Sequence, residues 1–525
     1  MHSPLRFSLS PLLLVAALTP CARAVVIRTG TADFTNTVRL AWMPDRHEEN
    51  PGFPIPIASL RGIGWPEQST GEWHRQMAMI SPLHFVYANH YTVSNTWRLS
   101  FELADGTLLN QQILNTQTVK NAQGQDTDLL LGTLQAPVSL AATGIAPFPV
   151  ANLGSDANYL GQRAWVFGKV ATAGRGTFAG FGTLTADGFN HTRFIYFDYK
   201  NASGAADDCY FESGDSGSPT FIVESGQPAL IGTHSYENEI TGGHRSYDTF
   251  IPDYLTQLDA MMDAQGYHVK RLHPAATTLN LSAAPAAPLQ TGQARSVLFT
   301  IDNAGSADAH NLTLTLTFSV PPATLSGSGW ICEQGDTAGA WLCRRGGVPQ
   351  AGTAPLTASW SDPGDSGSIS VNGSLGWDGG NAVTLAATLP VSASSTSFYT
   401  AWAASLSQPG AAEDPDRDGV VNLLEYAFGG DPAAASTMAI GGYPLLPRLK
   451  DSTLLFARRT DASQRGLVYH LETSTDLSSW TESLPAGASA SEVPFIPAVD
   501  GFDEEVVTLP REAMRYFRVR VEMTP

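Results

Sequence analysis

Residues 214–219 read Gly-Asp-Ser-Gly-Ser-Pro and hold the best candidate nucleophile of the 525-residue chain. A serine between an acid and a glycine has little value for core packing, whereas a tight turn of this composition exposes one hydroxyl group. The same turn aims the backbone N–H groups of Gly214 and Ser216 at a common point. A nucleophile beside two converging N–H donors suits attack on a carbonyl carbon and stabilisation of the resulting oxyanion. The motif therefore predicts Ser216 as the nucleophile.

A candidate base and a candidate orienting acid precede this motif. An apolar stretch over residues 79–90 ends at His90, and another apolar stretch begins directly after Asp128. A serine hydroxyl is a weak nucleophile until a base within hydrogen-bond reach takes its proton, which is the role we expect for His90. Asp128 would fix the imidazole tautomer and stabilise the imidazolium. His84 and Asp126 are the alternatives, and we expect both to be structural.

The order His, Asp, Ser along the chain resembles that of the chymotrypsin/trypsin-like serine proteases, and it differs from that of subtilisins and α/β-hydrolases. Residues 87–90, Tyr-Ala-Asn-His, match the family's Thr-Ala-Ala-His with departures at Tyr87 and Asn89. Residues 128–131, Asp-Leu-Leu-Leu, match its Asp-Ile-Ala-Leu. The resemblance covers roughly residues 25–268. It implies a double antiparallel β-barrel that hydrolyses peptide bonds through an acyl-enzyme intermediate.

The same resemblance suggests three substrate-binding residues. Tyr210 stands six residues before the nucleophile, where an acid would indicate cleavage after Lys or Arg. His234 matches a histidine that glutamyl endopeptidases use to meet an acidic side chain, although the nearby Glu237 would repel one, and a structural role is equally open. Ser235 falls on the strand that should bind the substrate backbone. The substrate itself is not indicated.

The first 24 residues have a basic start, an apolar run and an Ala-Arg-Ala end, which predicts a signal peptide and secretion to the extracellular space or periplasm. Cleavage after Ala24 would make Val25 the first residue, and the resemblance then suggests a pair between its new amino group and Asp215. The net charge of −19 argues against nucleic acid and anionic membranes as partners. No later stretch is long and apolar enough to span a bilayer.

Residues 273–395 differ in residue pattern from the preceding part of the chain, and this pattern predicts a β-sandwich. Residues 312–318 alternate Leu and Thr and end in Phe, which is typical of a half-exposed strand. With the Trp-Ile-Cys and Trp-Leu-Cys segments that follow, this part resembles the immunoglobulin-like modules of bacterial surface proteins. Cys332 and Cys343 are the plausible disulfide pair, and Cys209 is expected to be a buried, small apolar residue.

Residues 414–425 fit a calcium-loop pattern, with acids at positions one, three and five, glycine at six and glutamate at twelve. They resemble EF-hand and dockerin-type loops, and a solvated acidic helix cap is the alternative. A structural Ca²⁺ is expected, because a single copy does not suit a sensor. The expected ligands are the side chains of four acids, one backbone carbonyl and one amide acting directly or through water: Asp414, Asp416, Asp418, Glu425, Val420 and Asn422.

The predicted fold class is mainly β: a double antiparallel β-barrel protease domain (25–270), an immunoglobulin-like sandwich (273–395), a calcium-binding helical segment (396–435) and a C-terminal β-sandwich (436–525). The predicted function is a secreted serine endopeptidase acting on protein or peptide substrates, with no cofactor in catalysis. A cell-surface binding or adhesion protein with a degenerate protease domain is the alternative. A secreted esterase would need Gly-x-Ser-x-Gly, and Ser218 occupies its last position. A second Gly-Asp-Ser-Gly at 364–367 has no His/Asp pair of its own and is expected to be a loop.

Overall fold

A computed structural model describes residues 25–28, 52–67, 75–91, 93–169, 172–184, 189–363, 367–392, 395–435, 437–438, 442–482, 484–510 and 516–523. The predicted signal peptide and the first three residues of the second Gly-Asp-Ser-Gly motif lie outside these ranges. Among the described residues, no helix has the length and apolar character needed to cross a membrane.

Six antiparallel strands close a first barrel, and a two-residue strand, β1 (Val26–Ile27), precedes them. The barrel strands are β2 (Ile63–Pro66), β3 (Met77–Met79), β4 (His84–Tyr87), β5 (Arg98–Glu102), β6 (Leu108–Lys120) and β7 (Asp126–Leu134). Their spatial order is β2-β3-β4-β7-β6-β5. Every residue of β7 after Asp126 is buried, which explains why this strand is an almost unbroken apolar run. A short helix, α1 (Leu140–Thr143), follows.

A second barrel of six strands follows the first. Its strands and the short β11 are β8 (Arg163–Phe167), β9 (Ala173–Gly182), β10 (Phe194–Lys200), β11 (Cys209–Tyr210), β12 (Pro219–Glu224), β13 (Gln227–Ile240) and β14 (Gly243–Phe250). The barrel closes in the order β10-β14-β13-β12-β8-β9, while β11 pairs with β1. Helix α2 (Leu255–Met262) ends this part of the chain.

One apolar cluster joins the two barrels. Ile63 and Val86 of the first barrel belong to the same buried cluster as Phe167 and Phe221 of the second. Fully burying a side chain of this size is worth about 1.5–3 kcal/mol. The cluster therefore fixes the two barrels relative to each other, and loops from both meet at their shared edge.

Two packed sheets follow the barrels. Their strands are β15 (Leu279–Pro285), β16 (Leu289–Gln290), β17 (Arg295–Asn303), β18 (Ala309–Phe318), β19 (Thr324–Ser326), β20 (Ile331–Gln334), β21 (Ala340–Val348), β22 (Thr353–Trp360), β23 (Gly367–Gly376) and β24 (Val383–Ser392). One sheet has the order β15-β17-β22-β19 and the other β16-β24-β23-β18-β21-β20, with one core between them. Residues 312–318 alternate buried and exposed, as their Leu/Thr pattern predicted.

A disulfide joins Cys332 of β20 to Cys343 of β21, and these residues face each other across the strand pair. Cys209 is free and fully buried, as expected for a cysteine that acts as a small apolar residue.

The remaining chain combines two short helices with two antiparallel sheets. These elements are α3 (Ser395–Ala403), α4 (Asn422–Phe428), β25 (Arg448–Lys450), β26 (Thr453–Arg459), β27 (Leu467–Ser474), β28 (Ser489–Val499), β29 (Phe502–Thr508) and β30 (Tyr516–Met523). One sheet has the order β25-β26-β29-β28, and β27 pairs with β30. The predicted class, mainly β with a double barrel followed by further sheets, is confirmed. The domain boundaries stay a prediction.

Candidate active site

His90 connects the candidate acid to the candidate nucleophile. Its Nδ1 atom lies 2.9 Å from both carboxylate oxygens of Asp128, and its Nε2 atom lies 2.8 Å from the hydroxyl oxygen of Ser216. Because an ionised carboxylate only accepts, Nδ1 carries the ring hydrogen and Nε2 is free to accept the Ser216 hydroxyl proton. The geometric part of the prediction is confirmed, and the catalytic role remains a prediction. His90 follows β4, Asp128 lies in β7, and Ser216 lies in the turn before β12.

Asp128 is held by donors from several directions. Only 1% of its surface is exposed, and it also accepts the backbone N–H of His90 at 2.8 Å. The hydroxyl group of Ser235 donates to its second oxygen. Hydrogen bonds to the ionised form of a buried carboxylate stabilise that form. The side chain of Ser235, predicted as a substrate-binding residue, therefore contacts Asp128. Only the backbone of Ser235 would be available to bind a substrate.

Two backbone amides in the turn around Ser216 have no acceptor in the described part of the chain. Among the described residues, neither the Gly214 nor the Ser216 N–H group donates a hydrogen bond, whereas the N–H groups of Asp215 and Gly217 donate to the carbonyls of Glu212 and His234. Gly214 has φ +99° and Gly217 has φ +86°, values that favour glycine. Two free N–H groups beside a nucleophile are what an oxyanion hole requires.

The side chains of Tyr87 and Asn89, which depart from the family pattern, contact residues other than His90, Asp128 and Ser216. The buried Tyr87 ring packs against Gly217, where an added Cβ would lie 1.9 Å from a ring carbon. The amide group of Asn89 donates to the carbonyl of Thr127 at 3.1 Å and accepts from the Thr118 hydroxyl at 2.9 Å. Tyr87 thus requires glycine at 217, and Asn89 tethers the segment that carries His90.

The alternative base and acid lie elsewhere, as expected. His84 is fully buried, its Nδ1 atom is 2.8 Å from the Ser81 hydroxyl, and burial lowers its pKa to about 4. Asp126 is exposed and pairs with Lys120 at 2.7 Å.

A cavity of about 320 Å³ lies beside Ser216. Its lining is largely polar: Phe211, Glu212, Ser213, Asp215, Ser216, His234, Ser235, Tyr236 and Glu237.

Tyr210, predicted as a substrate-binding residue, stacks on the ring of His244 with centroids 3.8 Å apart, and His244 pairs with Glu237. Burial, with Glu212 second, raises the pKa of the Tyr210 hydroxyl. Tyr210 is not among the residues that line the cavity. The carboxyl groups that line the cavity are those of Glu212, Asp215 and Glu237.

The ring of His234 is engaged by the protein. Its Nδ1 atom lies 2.7 Å from a carboxylate oxygen of Asp248, and its Nε2 atom lies 2.5 Å from the carbonyl of Phe167. Only 1% of the residue is exposed. These contacts disfavour the prediction that the His234 side chain meets an acidic substrate group, because neither ring nitrogen is left to donate. They favour the structural alternative.

Asp215 is a fully buried carboxylate that accepts three backbone amides. The N–H groups of Glu212 and Val25 donate to one oxygen at 2.8 and 3.0 Å, and that of Lys169 donates to the other at 3.0 Å. Burial is the largest influence on the Asp215 pKa and raises it, while these amides oppose the rise. Lys169 also donates from its ammonium group to the carbonyl of Ser213.

Sequence reasoning did not include Lys169. A lysine that directly follows a strand as apolar as β8 and a glycine is the signal that could have found it. Its two hydrogen bonds support the turn on either side of Gly214.

The acidic loop that precedes α4 holds a second candidate site. Carboxylate oxygens of Asp414, Asp416 and Asp418 lie within 4.8 Å of one another. Glu425 is 1% exposed, and among the described residues no group donates a hydrogen bond to either of its carboxylate oxygens. Burial, followed by repulsion from the three aspartates, raises its pKa to about 7. A buried carboxylate without donors, facing three further acids, fits a hard cation such as Ca²⁺.

Asn422 lies at the start of α4 in a different setting from the acids. Its amide nitrogen donates to the carbonyls of Gln408 and Gly410 at 2.8 and 2.9 Å, and its oxygen is buried without a donor among the described residues. The amide nitrogen ties the loop to the preceding chain, which leaves only the oxygen for an ion or a bound water.

No protein-family model and no curated protein matches the sequence. Solved structures that resemble the chain include the secreted serine protease VesC of Vibrio cholerae, at 10% identity and TM-score 0.28, over 88% of this chain and 97% of that one. A scabies mite inactivated protease paralogue aligns at 14% identity and TM-score 0.29, over 39% and 96%. Human heparin binding protein aligns at 13% identity and TM-score 0.28, over 39% and 93%. Similarities this remote do not assign an activity.

Proposed function

We propose that the protein is a secreted serine endopeptidase with His90, Asp128 and Ser216 as its catalytic triad. The observation that carries the proposal is the position of the His90 ring, with one nitrogen on the buried Asp128 and the other on the Ser216 hydroxyl. Nucleophile, base and orienting acid in this geometry define acyl-transfer chemistry on several unrelated folds. The N–H groups of Gly214 and Ser216, which have no acceptor among the described residues, would supply the oxyanion hole.

The proposed reaction has two halves. The Ser216 oxygen attacks the peptide carbonyl while Nε2 of His90 takes the hydroxyl proton, and the Gly214 and Ser216 amides stabilise the oxyanion. Each such donor is worth about 3–4 kcal/mol in reactions of this kind. His90 then gives its proton to the leaving amine as the C–N bond breaks. Water, deprotonated by His90, releases the acyl group from Ser216 and restores the enzyme.

The rival function is a binding protein with a degenerate protease domain. Degeneracy would be expected to remove a triad group or to fill the space beside it. Tyr87 and Asn89 do neither, because Tyr87 packs under Gly217 and Asn89 bonds to Thr127 and Thr118. These contacts favour the enzyme.

Replacing Ser216 tests the proposal. Ser216→Ala should reduce kcat on a cleaved peptide by a factor on the order of 10⁶, because nucleophile and base act as a unit. A fluorophosphonate probe should label the native chain at Ser216. The matched control is Ser366→Ala, which changes the serine of the second Gly-Asp-Ser-Gly and should leave turnover and labelling intact. A native chain that neither cleaves a diverse peptide library nor reacts with the probe would favour the binding protein.

Maturation by removal of residues 1–24 is part of the same proposal. Val25 is buried and its backbone nitrogen lies 3.0 Å from Asp215. Cleavage after Ala24 would turn this N–H donor into a charged amino group. An opposite charge this close stabilises the ionised carboxylate. The resulting pair would hold the turn that carries Gly214 and Ser216.

We propose also that the acidic loop binds one structural Ca²⁺ through Asp414, Asp416, Asp418 and Glu425, with the Val420 carbonyl and Asn422 completing the set. The support is the cluster of three aspartates and the buried Glu425 carboxylate, which has no hydrogen-bond donor among the described residues and whose pKa is raised by burial and by the three aspartates. The ion would stabilise the C-terminal part of the chain and would not take part in peptide hydrolysis.

A further inference from the structure

Two histidines and an aspartate from three segments converge between the barrels and the following sheets. Asp259 lies in helix α2, His268 lies in the segment after it, and His310 lies in strand β18. The Nδ1 atoms of His268 and His310 are 2.8 Å apart, and one carboxylate oxygen of Asp259 lies 3.9 Å from each. We propose that these three atoms bind a zinc ion that links the barrels to the sandwich.

The dimensions of this triangle leave space for a shared ion, although the two nitrogens are closer together than in a regular tetrahedral site. A point in the plane of the three atoms lies about 2.1 Å from each of them, the range of zinc–nitrogen and zinc–carboxylate bonds. A hydrogen bond between the two rings would account for the 2.8 Å contact. The Asp259 oxygen forms its ion pair with Arg271 and makes no hydrogen bond to either ring, but it lies at the same distance, 3.9 Å, from both nitrogens, as a ligand of a shared ion would.

The surroundings orient the ligands as a metal site requires. The other nitrogen of His268 lies 3.2 Å from a carboxylate oxygen of Asp263, which places its hydrogen on Nε2 and leaves Nδ1 as a lone-pair donor. Metal-bound histidines commonly donate their second N–H group to a carboxylate in this way. The second oxygen of Asp259 accepts the backbone N–H of Val269 at 2.8 Å, which fixes the carboxylate.

Arg271 also contacts the Asp259 oxygen that belongs to the triangle. A carboxylate oxygen can accept from Arg271 and bind an ion together, since it has two lone pairs. The lining of the adjoining cavity, about 550 Å³ in volume, includes more carboxyl than guanidinium groups: Asp259, Asp263, Asp308, Arg271 and Arg345. The cavity gives a cation an entry path and leaves room for water as a fourth ligand.

Zinc fits these donors better than calcium or magnesium does. Two imidazole nitrogens and one carboxylate oxygen suit a borderline ion, whereas calcium and magnesium prefer oxygen ligands alone. Because His310 comes from β18 and Asp259 from α2, the ion would cross-link two parts of the chain that otherwise meet through contacts such as the hydrogen bond from His268 N–H to Asn311 at 2.8 Å. Its expected effect is on stability rather than on hydrolysis.

The test is zinc titration of the full secreted chain, with Ser216→Ala to prevent self-cleavage and with excess calcium to occupy the acidic loop. Calorimetry should give one zinc site, and Co²⁺ at the site should show visible absorption bands. Asp263→Asn should weaken zinc binding by about 10–100-fold, as loss of an outer-shell partner does. His310→Ala and His268→Ala should weaken it further and remove the Co²⁺ bands.

The matched control is His273→Ala, which removes a half-exposed histidine of the same segment, paired with Glu224. It should leave zinc affinity and Co²⁺ bands unchanged. Circular dichroism establishes that each variant is folded, and Asp263→Asn decides the matter if the histidine variants are not. The proposal is overturned if the native chain binds no zinc, in which case the ring contact is an ordinary hydrogen bond. It is equally overturned if His310→Ala or, failing that, Asp263→Asn binds zinc as the native chain does.

Discussion

Asp128 and Glu425 are both 1% exposed carboxylates, yet their surroundings differ completely. Asp128 accepts hydrogen bonds from the His90 ring, the His90 backbone and the Ser235 hydroxyl. Glu425 accepts none from the described residues, and three aspartates lie near it. A buried carboxylate is stable in its ionised form only when donors or a cation replace the lost water. Asp128 therefore has its hydrogen-bond donors within the chain, whereas for Glu425 the cation that we propose for the acidic loop would take their place.

The largest expected effect in this comparison comes from removing the charge of Asp128. Asp128→Asn should lower kcat by about 10⁴-fold, because the amide can donate to Nδ1 and hold the imidazole in the wrong tautomer. Steady-state kinetics on a peptide cleaved by the native chain measures the effect. Ser235→Ala removes one hydrogen-bond donor to the same carboxylate, so it should lower kcat by a smaller factor than Asp128→Asn does. Equal activity of Asp128→Asn and the native chain would remove Asp128 from the triad.

Asp215 is intermediate between Asp128 and Glu425. It is a buried carboxylate that accepts backbone amides and that, after the proposed maturation, would also contact an amino group. Asp215→Asn should reduce kcat by about 10²-fold, the scale of a lost oxyanion donor, because the turn that carries Gly214 loses its anchor. A chain that retains one alanine before Val25 should show a similar loss, since its first amino group cannot reach Asp215. Activity should also fall at high pH, and only above about 8, where a free α-amino group loses its proton, because pairing with Asp215 raises the pKa of this amino group.

Two results would contradict two separate parts of this prediction. An Asp215→Asn variant with unchanged kcat would contradict the anchoring role of Asp215, and full activity of the chain with the additional alanine would contradict the charged pair alone. If only the alanine-extended chain is fully active, Asp215 still anchors the turn through amides, but the charged pair is not required.

The acidic loop should respond to calcium where the triad does not. Calcium at about 100 times its Kd stabilises a site that binds only in the folded state by about 2.7 kcal/mol. The melting temperature of the Ser216→Ala chain should therefore rise with calcium and return on chelation. Glu425→Gln should reduce that rise, because it removes the buried charge and one strong ligand. The rate of peptide hydrolysis should not change with calcium. A melting temperature that does not change when calcium is added would contradict the calcium proposal.

Sequence reasoning found those features that local patterns encode. The triad followed from motif, order and apolar flanks, and the strands followed from runs such as Leu129–Leu131 in β7. The contacts that surround Asp128 and Asp215 join residues far apart in the sequence. Ser235 is 107 residues from Asp128, and Val25 is 190 residues from Asp215. Such pairs depend on how the strands close into barrels, which residue spacing does not reveal. For the same reason the His234 ring could not be assigned from sequence, because its partners Asp248 and Phe167 come from other strands.

The smallest effect is expected at Asp126, which lies two residues from Asp128 in the same strand. Asp126 is exposed and its ion pair with Lys120 joins two side chains that are both more than half exposed. Exposed ion pairs contribute about 0–1 kcal/mol, because water screens the charges and ordering the side chains costs entropy. Asp126→Asn should therefore leave kcat unchanged and shift the denaturant midpoint only slightly, while Asp128→Asn nearly abolishes turnover. A large loss of activity in Asp126→Asn would mean that the acid of the triad has been assigned to the wrong residue.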